Sequence, residues 1–259
     1  MEHGKEGGHF YHRDGTTAYV TVGKNGVERP TTLRDARKEC LVPGATEIIK
    51  MAAKPGLTNW IIDQHIMACL TMPRIEGEPE ADYIARIKRD AGAQAEKARE
   101  RGTQIHAWVQ QGFEGVLTDM DGSRYFRSAK KTLDVECSQI EWIPEKTFAT
   151  DRYGGKVDLH NDQYLIDVKT TDKDLATVKT WEEHSQQLAA YDYGLDWDVP
   201  LRHRKSGILY IHVHTAESRL IWIPEDELMK GWKCFNALLD FWYAKTGLKK
   251  PLDFEEKEV

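Results

Sequence analysis

The sequence predicts an α/β protein in which helices flank one mixed central β-sheet, with a helical decoration at the N-terminal end. Two observations support this class. Strand-like segments rich in β-branched and aromatic residues are concentrated in the second half of the chain. Helical patterns precede, interrupt and follow them, in the order helices, β-meander, helix, two strands and helix. The 259 residues, 40% of them apolar, suffice for one large domain or two smaller ones.

The composition excludes several classes of protein. Eight tryptophans and 10% aromatic residues supply enough apolar surface to exclude a disordered chain. With 42 acidic and 36 basic residues the net charge is −6, which argues against a cationic DNA coat. A nucleic-acid enzyme stays open, because positive patches can be local. No apolar run reaches ~18 residues, so no membrane span is expected.

The cysteines and the N-terminal residues indicate a cytoplasmic protein. The cysteines are widely scattered and form no C-x-x-C pair, so we expect reduced thiols instead of a zinc knuckle or a disulfide framework. They are Cys40, Cys69, Cys137 and Cys234. The N-terminal stretch is polar and contains acidic residues, so neither a secretory signal nor a transit peptide is expected.

The N-terminal third reads as a short β-rich start followed by helices. Residues 1–30 carry a hairpin signal at Asp14-Gly15. Residues 31–72 read as helical pieces broken at Pro43-Gly44 and at Pro55-Gly56. The last piece has apolar residues at helical spacing, which include Leu57, Ile61 and Ile62.

A long helical pattern follows the polar linker at residues 73–79. It covers residues 80–113, and Gly102 is a candidate interruption. Its first half is charged and predicts a solvated face. Its second half has Ile105, Trp108 and Val109 on one face.

From about residue 115 the chain becomes β-rich. The strand-like segments are residues 135–144, 145–151, 154–160, 164–170, 207–214 and 218–224. Residues 174–196 return to helical character, and residues 225–246 predict a closing amphipathic helix.

The segment GGKVDLHNDQYLIDVKTT carries the candidate chemistry. A two-residue hairpin loop at Asn161-Asp162 puts Asp158 opposite Leu165 and makes Asp167 its diagonal neighbour, ~7–8 Å away. Strand alternation puts Lys169 on the same face. The other face receives the apolar side chains of Tyr164, Ile166 and Val168.

Two carboxylates and one ammonium on one face predict a phosphodiester-hydrolysing site. Converging carboxylates repel each other unless a cation lies between them. A few hard oxygen ligands suit Mg²⁺ or Mn²⁺, which can polarise a phosphoryl oxygen and activate water. An adjacent lysine can stabilise the developing charge. The alternative is a surface hairpin with an ordinary Asp–Lys salt bridge.

Five ordered motifs resemble the PD-(D/E)XK nuclease superfamily in its RecB-like branch. They are Gly102-Thr103-Gln104-Ile105-His106, Glu145, Gly155-Lys156-Val157-Asp158, Asp167-Val168-Lys169-Thr170 and Gln187-Leu188-Ala189-Ala190-Tyr191. The stretch VPGATEIIKMAAKPGLTNW is also similar to the opening of stand-alone phage-type exonucleases, so the resemblance covers roughly residues 40 to 225. It departs from the superfamily's proline, which is Val157 here.

The resemblance implies a restriction-endonuclease-like nuclease core over residues 101–259, with residues 1–100 as a β-hairpin and helical decoration packed on it. Asp158, Asp167, the Val168 carbonyl and His106 would ligate Mg²⁺ or Mn²⁺. Lys169 would be the catalytic lysine, and Glu145 would help to place a metal or water. No iron–sulfur cluster is expected, because the cysteines lack the arrangement of the members that carry one.

Further residues are candidates for contacting DNA or bracing the site. The resemblance assigns this role to Gln187 and Tyr191, which share a helix face at i and i+4. Thr170 is expected to have the same role, and Trp181 can stack on a base.

Several of these assignments have alternatives. Glu141 competes with Glu145, which we prefer because it begins the strand leading into a predicted Gly154-Gly155 turn. Gln186 competes with Gln187, and His106 can be a packed core residue. His212 and His214 share a strand face, which favours an exposed face over a second metal site. The basic stretches Arg86–Arg101 and Arg202-His203-Arg204-Lys205 are either phosphate contacts or solvated faces.

The sequence thus predicts a Mg²⁺- or Mn²⁺-dependent deoxyribonuclease, most simply an exonuclease in phage-type recombination, repair or replication. Alternatives are a structure-specific or nicking endonuclease and a non-catalytic DNA-binding module. The expected partner is linear DNA, single- or double-stranded. A recombination or single-strand-binding protein and a second copy of the chain are further candidates.

Overall fold

The computed structural model describes residues 8–196 and 204–249. Its strands are β1 (Phe10–Tyr11), β2 (Val20–Val22), β3 (Glu28–Pro30), β4 (Val42–Pro43), β5 (Ile143–Ala149), β6 (Gly154–His160), β7 (Tyr164–Thr171), β8 (Lys205–His212) and β9 (Ser218–Trp222). Its helices are α1 (Leu33–Glu39), α2 (Ala45–Ile49), α3 (Pro55–Thr71), α4 (Glu80–Phe113), α5 (Met120–Cys137), α6 (Glu182–Leu195) and α7 (Glu225–Thr246).

Strands β5 to β9 form one five-stranded sheet in chain order. Neighbouring strands are antiparallel except β7 and β8, which run parallel along their whole length. A parallel pair needs a crossover connection, and α6 lies in the connection between these two strands. The predicted α/β class with a mixed central sheet is confirmed.

The sheet is buried on both faces by helices. Leu165 and Ile208 belong to one apolar cluster, and their chain neighbours Ile166 and Leu209 belong to a second. The first cluster also contains Leu188, Phe235 and Leu239 of α6 and α7. The second also contains Ile105, Tyr125 and Leu133 of α4 and α5. Burial on both faces explains why β7 and β8 are nearly continuous apolar runs apart from their functional side chains.

The segment from residue 115 to residue 142 differs from the predicted β-rich start. Residues 120–137 form helix α5, and the sheet begins only at Ile143. Asp119 caps the helix, because its Oδ1 accepts a hydrogen bond from Gly122 N at 2.8 Å. Tyr125, Ala129, Leu133 and Cys137 recur every four residues and are buried. This helical period outweighed the β propensity of the residues near Val135.

The N-terminal residues form a short antiparallel reversal at Asp14-Gly15, as predicted, with a bridge between Tyr11 and Thr17, and they also contribute to two small two-stranded sheets. The β2–β3 hairpin turns at Asn25-Gly26, a pair whose glycine adopts φ +76°. At Asp14-Gly15 the chain makes a tight turn, and β1 pairs with the distant β4. The predicted turn at Gly154-Gly155 is wrong, because both glycines lie in β6 and the chain reverses at residues 150–153.

Helices α3 and α4 pack on each other through a small cluster of Ala68, Ile87 and Ala91. Helix α4 is unbroken, so Gly102 does not interrupt it. Ala68 is the buried residue of α3, and the larger apolar side chains of this helix do not enter the core. Leu57, Ile61 and Ile62 are 51%, 42% and 49% exposed. Within residues 8–196 and 204–249, no helix has the length and apolar character needed to cross a membrane.

Candidate active site

The β6–β7 hairpin brings the two predicted carboxylates face to face. His160 pairs with Leu165, and continuing this register places Asp158 directly opposite Asp167. The predicted diagonal relation is therefore wrong, although both side chains share a sheet face as predicted. The ladder itself ends at Leu159 and Ile166, and the two carboxylates just beyond it are close enough for Asp167 to raise the pKa of Asp158.

The turn chemistry explains the difference in register. Asn161 Oδ1 accepts hydrogen bonds from Gln163 N at 2.8 Å and from Tyr164 N at 2.9 Å. Asn161 N also donates to Tyr164 O at 3.0 Å. This turn is stabilised by the Asn side chain and is longer than the predicted two-residue loop. The register therefore moves by two residues, which leaves every side chain on its predicted face.

A glutamine on α6 organises Asp167 and Lys169. Lys169 Nζ lies 2.6 Å from Asp167 Oδ2. Gln187 Nε2 donates to Asp167 Oδ1 at 2.8 Å, and Gln187 Oε1 accepts from Lys169 Nζ at 3.4 Å. Gln187 Nε2 also lies 3.1 Å from Tyr191 OH, one helical turn away. Gln187, and not the adjacent Gln186, thus contacts the acid and the base together.

Asp158 is the second carboxylate of the site, beside Asp167. Its Oδ2 accepts a hydrogen bond from Val168 N at 2.7 Å, in a region where the β6–β7 ladder has ended. His106 Nδ1 of α4 lies 3.7 Å from the same oxygen. Burial and the neighbouring Asp167 raise the pKa of Asp158 to about 7. Asp158 therefore does not ionise freely at neutral pH.

The pKa values of the two basic side chains of the site, His106 and Lys169, are shifted in opposite directions. Burial and then the nearby Lys169 lower the pKa of His106 to about 4, so its imidazole is neutral at pH 7. Burial also acts to lower the pKa of Lys169, but Asp167 and Asp158 outweigh it and raise that pKa. Lys169 is therefore a fixed cation, and His106 offers a neutral nitrogen.

Glu145 reaches the site through a strained backbone. It has φ +53°, a left-handed conformation that is unfavourable for a non-glycine residue. The β5–β6 register places it opposite Asp158, and its carboxylate forms an ion pair with Lys156. Glu141, the competing glutamate, is exposed and lies before β5. Strain of this kind concentrates at functional sites, where the surrounding structure compensates for it.

Two groups at the site were missed by the sequence reasoning. Lys156 precedes Asp158 by two residues on β6, so strand alternation could have placed it on the same face. The other group is an aromatic wall from the N-terminal segment, which packs on β6, since a Cβ atom at Gly154 would lie 2.5 Å from Tyr11 Cγ. Tyr11 OH lies 2.5 Å from Tyr19 OH, and the His9 ring stacks on Tyr19 with centroids 4.4 Å apart. No sequence pattern relates this wall to β6, because the contact depends on tertiary packing.

Two predicted contact residues lie at the margin of the site. Thr170 faces α4 and not the carboxylates, since a Cβ atom at Gly102 would lie 3.0 Å from Thr170 Oγ1. This contact suits a bracing role for Thr170. Trp181 stands at the N-terminal end of α6, is 55% exposed and lies beside Gly56 of α3. It is accessible to a nucleic acid.

The histidine pair at the end of β8 has a local structural role. His212 Nδ1 accepts hydrogen bonds from His214 N at 3.3 Å and Thr215 N at 3.1 Å, which braces the turn into β9.

Only part of the second basic stretch, residues 202–205, lies within the residues that the structure describes. Arg202 and His203 lie outside the described residues, and Arg204 is buried in ion pairs with Asp192 and Asp196. Arg204 is therefore not a phosphate contact.

The donor chemistry fits a divalent cation. As placed, no three His, Cys, Asp or Glu side chains within residues 8–196 and 204–249 are grouped closely enough to hold a metal ion. Asp167 is nevertheless buried, with Lys169 Nζ on its Oδ2, and its carboxylate lies beside that of Asp158. Two carboxylates brought together at a buried position are the environment that a hard cation stabilises.

Comparisons with known proteins identify no family. No family model matches the chain, and no curated protein matches it. A solved structure from Eubacterium rectale, described as a "putative exonuclease", is similar with a TM-score of 0.39 and 14% identity. The similarity covers 57% of this chain and 69% of that chain. A likeness this weak supports no conclusion about activity, which has to rest on the side chains of the site.

Proposed function

We propose that this protein is a metal-dependent deoxyribonuclease that hydrolyses phosphodiester bonds, acting as an exonuclease on linear DNA. One observation carries the proposal. Asp158 and Asp167 oppose each other on adjacent strands, and Lys169 contacts Asp167 from the same face. An ordinary surface salt bridge does not account for this arrangement, because Asp167 is 2% exposed and a second carboxylate, that of Asp158, lies beside it.

The residues that would hold the cation are Asp158, Asp167, the Val168 carbonyl and His106. When bound, Mg²⁺ or Mn²⁺ polarises a phosphoryl oxygen and lowers the pKa of a water molecule. The lowered pKa of His106 supports this assignment, because only a neutral imidazole can ligate. The raised pKa of Asp158 means that its ionisation at neutral pH is favoured by a bound cation.

The chain's own groups orient the reaction. The ammonium of Lys169 is held by Asp167 and Gln187, so it is positioned to stabilise negative charge on the phosphoryl oxygens. Gln187 contacts Asp167, Lys169 and Tyr191 and so fixes the rotamers of the acid and the base. Glu145 is held near Asp158 by Lys156 and can accept a proton from water or help to place a cation.

The test is a digestion of DNA with labelled ends. Linear and closed circular DNA, each single- and double-stranded, are incubated with Mn²⁺, Mg²⁺ or EDTA. We expect metal-dependent loss of linear DNA alone, reduced about 10²–10³-fold in Lys169→Ala. Lys173→Ala is the matched control, because Lys173 is exposed and lies just beyond β7. This variant should digest DNA like the wild type.

Other outcomes point to the alternatives. Cutting of closed circles would replace the exonuclease by a structure-specific or nicking endonuclease on the same site. Retained DNA binding without turnover would leave a non-catalytic DNA-binding module. The biological setting that we propose is phage-type recombination, repair or replication in the cytoplasm, with a recombination or single-strand-binding protein as a partner.

A further inference from the structure

Two arginines converge on one phenol oxygen outside the carboxylate site. Arg101 Nη2 of α4 donates to Tyr125 OH at 2.6 Å, and Arg124 Nη2 of α5 donates to the same oxygen at 2.9 Å. Tyr125 OH in turn donates to Val213 O at 2.8 Å. The Tyr125 ring is fully buried, so this oxygen is a fixed point to which both guanidinium groups are tied.

Among the residues that the structure describes, neither guanidinium has a carboxylate partner. Within residues 8–196 and 204–249, the ion pairs of the first basic stretch are Arg86–Glu78 and Arg99–Glu96, and none involves Arg101 or Arg124. The two cations lie within two hydrogen-bond lengths of each other, so they repel. Each guanidinium has five N–H donors, of which the bond to Tyr125 uses one.

Aromatic rings hold the two cations in place. Arg101 Cζ lies 5.4 Å from the centroids of both Trp108 and Tyr125, and Arg124 Cζ lies 4.8 Å from that of Tyr125. Stacking of this kind fixes a guanidinium plane without neutralising its charge. Two oriented guanidinium groups with free donors are suited to a tetrahedral oxyanion, above all a phosphate.

The pair lies close to the candidate active site. Gly102, which follows Arg101, packs against Thr170, the residue after Lys169. Val213, which accepts the hydrogen bond of Tyr125, donates its own N–H to Thr171 O at the end of β7. The arginine pair is therefore joined by short contacts to the end of the strand that carries Asp167 and Lys169.

We propose that Arg101 and Arg124 form a phosphate-binding site outside the carboxylate site, which holds a backbone phosphate of the bound DNA. This inference takes its ligand from the proposed function, but it concerns binding and not hydrolysis. It also distinguishes Arg101 from Arg86 and Arg99 of the first basic stretch, which are paired with acids.

The experiment measures DNA affinity as a function of salt concentration in EDTA, so that no hydrolysis occurs. Fluorescence anisotropy of a labelled oligonucleotide is recorded for the wild type, Arg101→Gln, Arg124→Gln and the double variant. We expect each single variant to lose roughly 5- to 10-fold in affinity, with a salt slope shallower by about one. Arg127→Gln is the matched control on α5, because Arg127 is exposed. It should change neither quantity.

Lysine variants separate charge from packing. Since Arg101 also packs on Trp108, Arg101→Lys and Arg124→Lys are measured beside the glutamine variants. The lysine variants should keep the wild-type salt slope, because they keep the charge. An unchanged affinity and slope in the double glutamine variant would overturn the proposal. So would a wild type that does not bind DNA, or lysine variants that lose the slope to the same extent as glutamine.

The two proposals can fail separately. A wild type that binds DNA with an arginine-dependent slope but never hydrolyses it would refute the nuclease and keep the phosphate site. A wild type that hydrolyses DNA, together with a double variant of unchanged affinity and slope, would refute the phosphate site and keep the nuclease.

Discussion

The opposed carboxylates make folding stability depend on pH in a defined direction. Burial and Asp167 raise the pKa of Asp158 from 3.8 to about 7 in the folded protein. A raised folded-state pKa means that the protonated carboxyl group contributes stability, fully present below about pH 3.8. This contribution is lost as the pH rises through about 7. Asp158→Asn removes the titration but keeps a side-chain oxygen for the hydrogen bond from Val168 N.

The size of the effect follows from the shift. A shift of about three pKa units corresponds to about 4 kcal/mol at most, at about 1.36 kcal/mol per unit. The Asp158 side chain is 18% exposed, and Lys169 partly neutralises the pair. We therefore expect about 1–3 kcal/mol of the free energy of unfolding to depend on this group.

Urea unfolding at about pH 4.5 and about pH 8 in EDTA measures the effect. Between these pH values, the free energy of unfolding of Asp158→Asn should rise relative to that of the wild type by about 1–3 kcal/mol. Asp172→Asn is the control, because Asp172 is an exposed carboxylate just beyond β7, and its profile should stay parallel to the wild type. Adding Mg²⁺ or Mn²⁺ at pH 8 should stabilise the wild type more than Asp158→Asn. Parallel profiles for Asp158→Asn and the wild type would refute the reasoning.

Two further predictions concern the framework of the site. Gly231→Ala should lower the free energy of unfolding by about 1–3 kcal/mol, because a Cβ there would lie 2.5 Å from the backbone of Ser185 and force α6 and α7 apart. Gly92→Ala, in the exposed part of α4 with nothing within 4 Å, should instead raise it by about 0.5–1 kcal/mol, and equal urea midpoints for the two variants would contradict this account. Arg204→Ala should destabilise the fold by about 3–5 kcal/mol, because it removes the buried guanidinium that forms ion pairs with Asp192 and Asp196. A thermal melting temperature within 1–2 °C of the wild type would show that these ion pairs are dispensable.

Local periodicity explains what could be predicted of the candidate site. Asp167 and Lys169 share a face because strand side chains alternate, and Gln187 and Tyr191 share a helix face because they are four apart. These relations depend on a few consecutive residues. The structure accordingly brings Lys169, Gln187 and Tyr191 to Asp167 and Asp158.

The register and the longer-range contacts needed the folded chain. The direct opposition of Asp158 and Asp167 follows from an asparagine-stabilised turn that competes closely with a two-residue loop. Helix α5 was not predicted, because the residues near Val135 favour strands locally. Burial against the sheet selects the helix instead.

The sequence by itself determined the α/β class, the shared face of the acid–base residues and the type of chemistry they favour, because each depends on a short repeat of two or about four residues. Only the tertiary structure decided how closely the carboxylates approach, how Tyr11 of the N-terminal segment packs on Gly154 of β6, and that Arg101 meets Arg124 on Tyr125. These contacts join segments far apart in the chain, and they form only when both faces of the sheet are covered by helices.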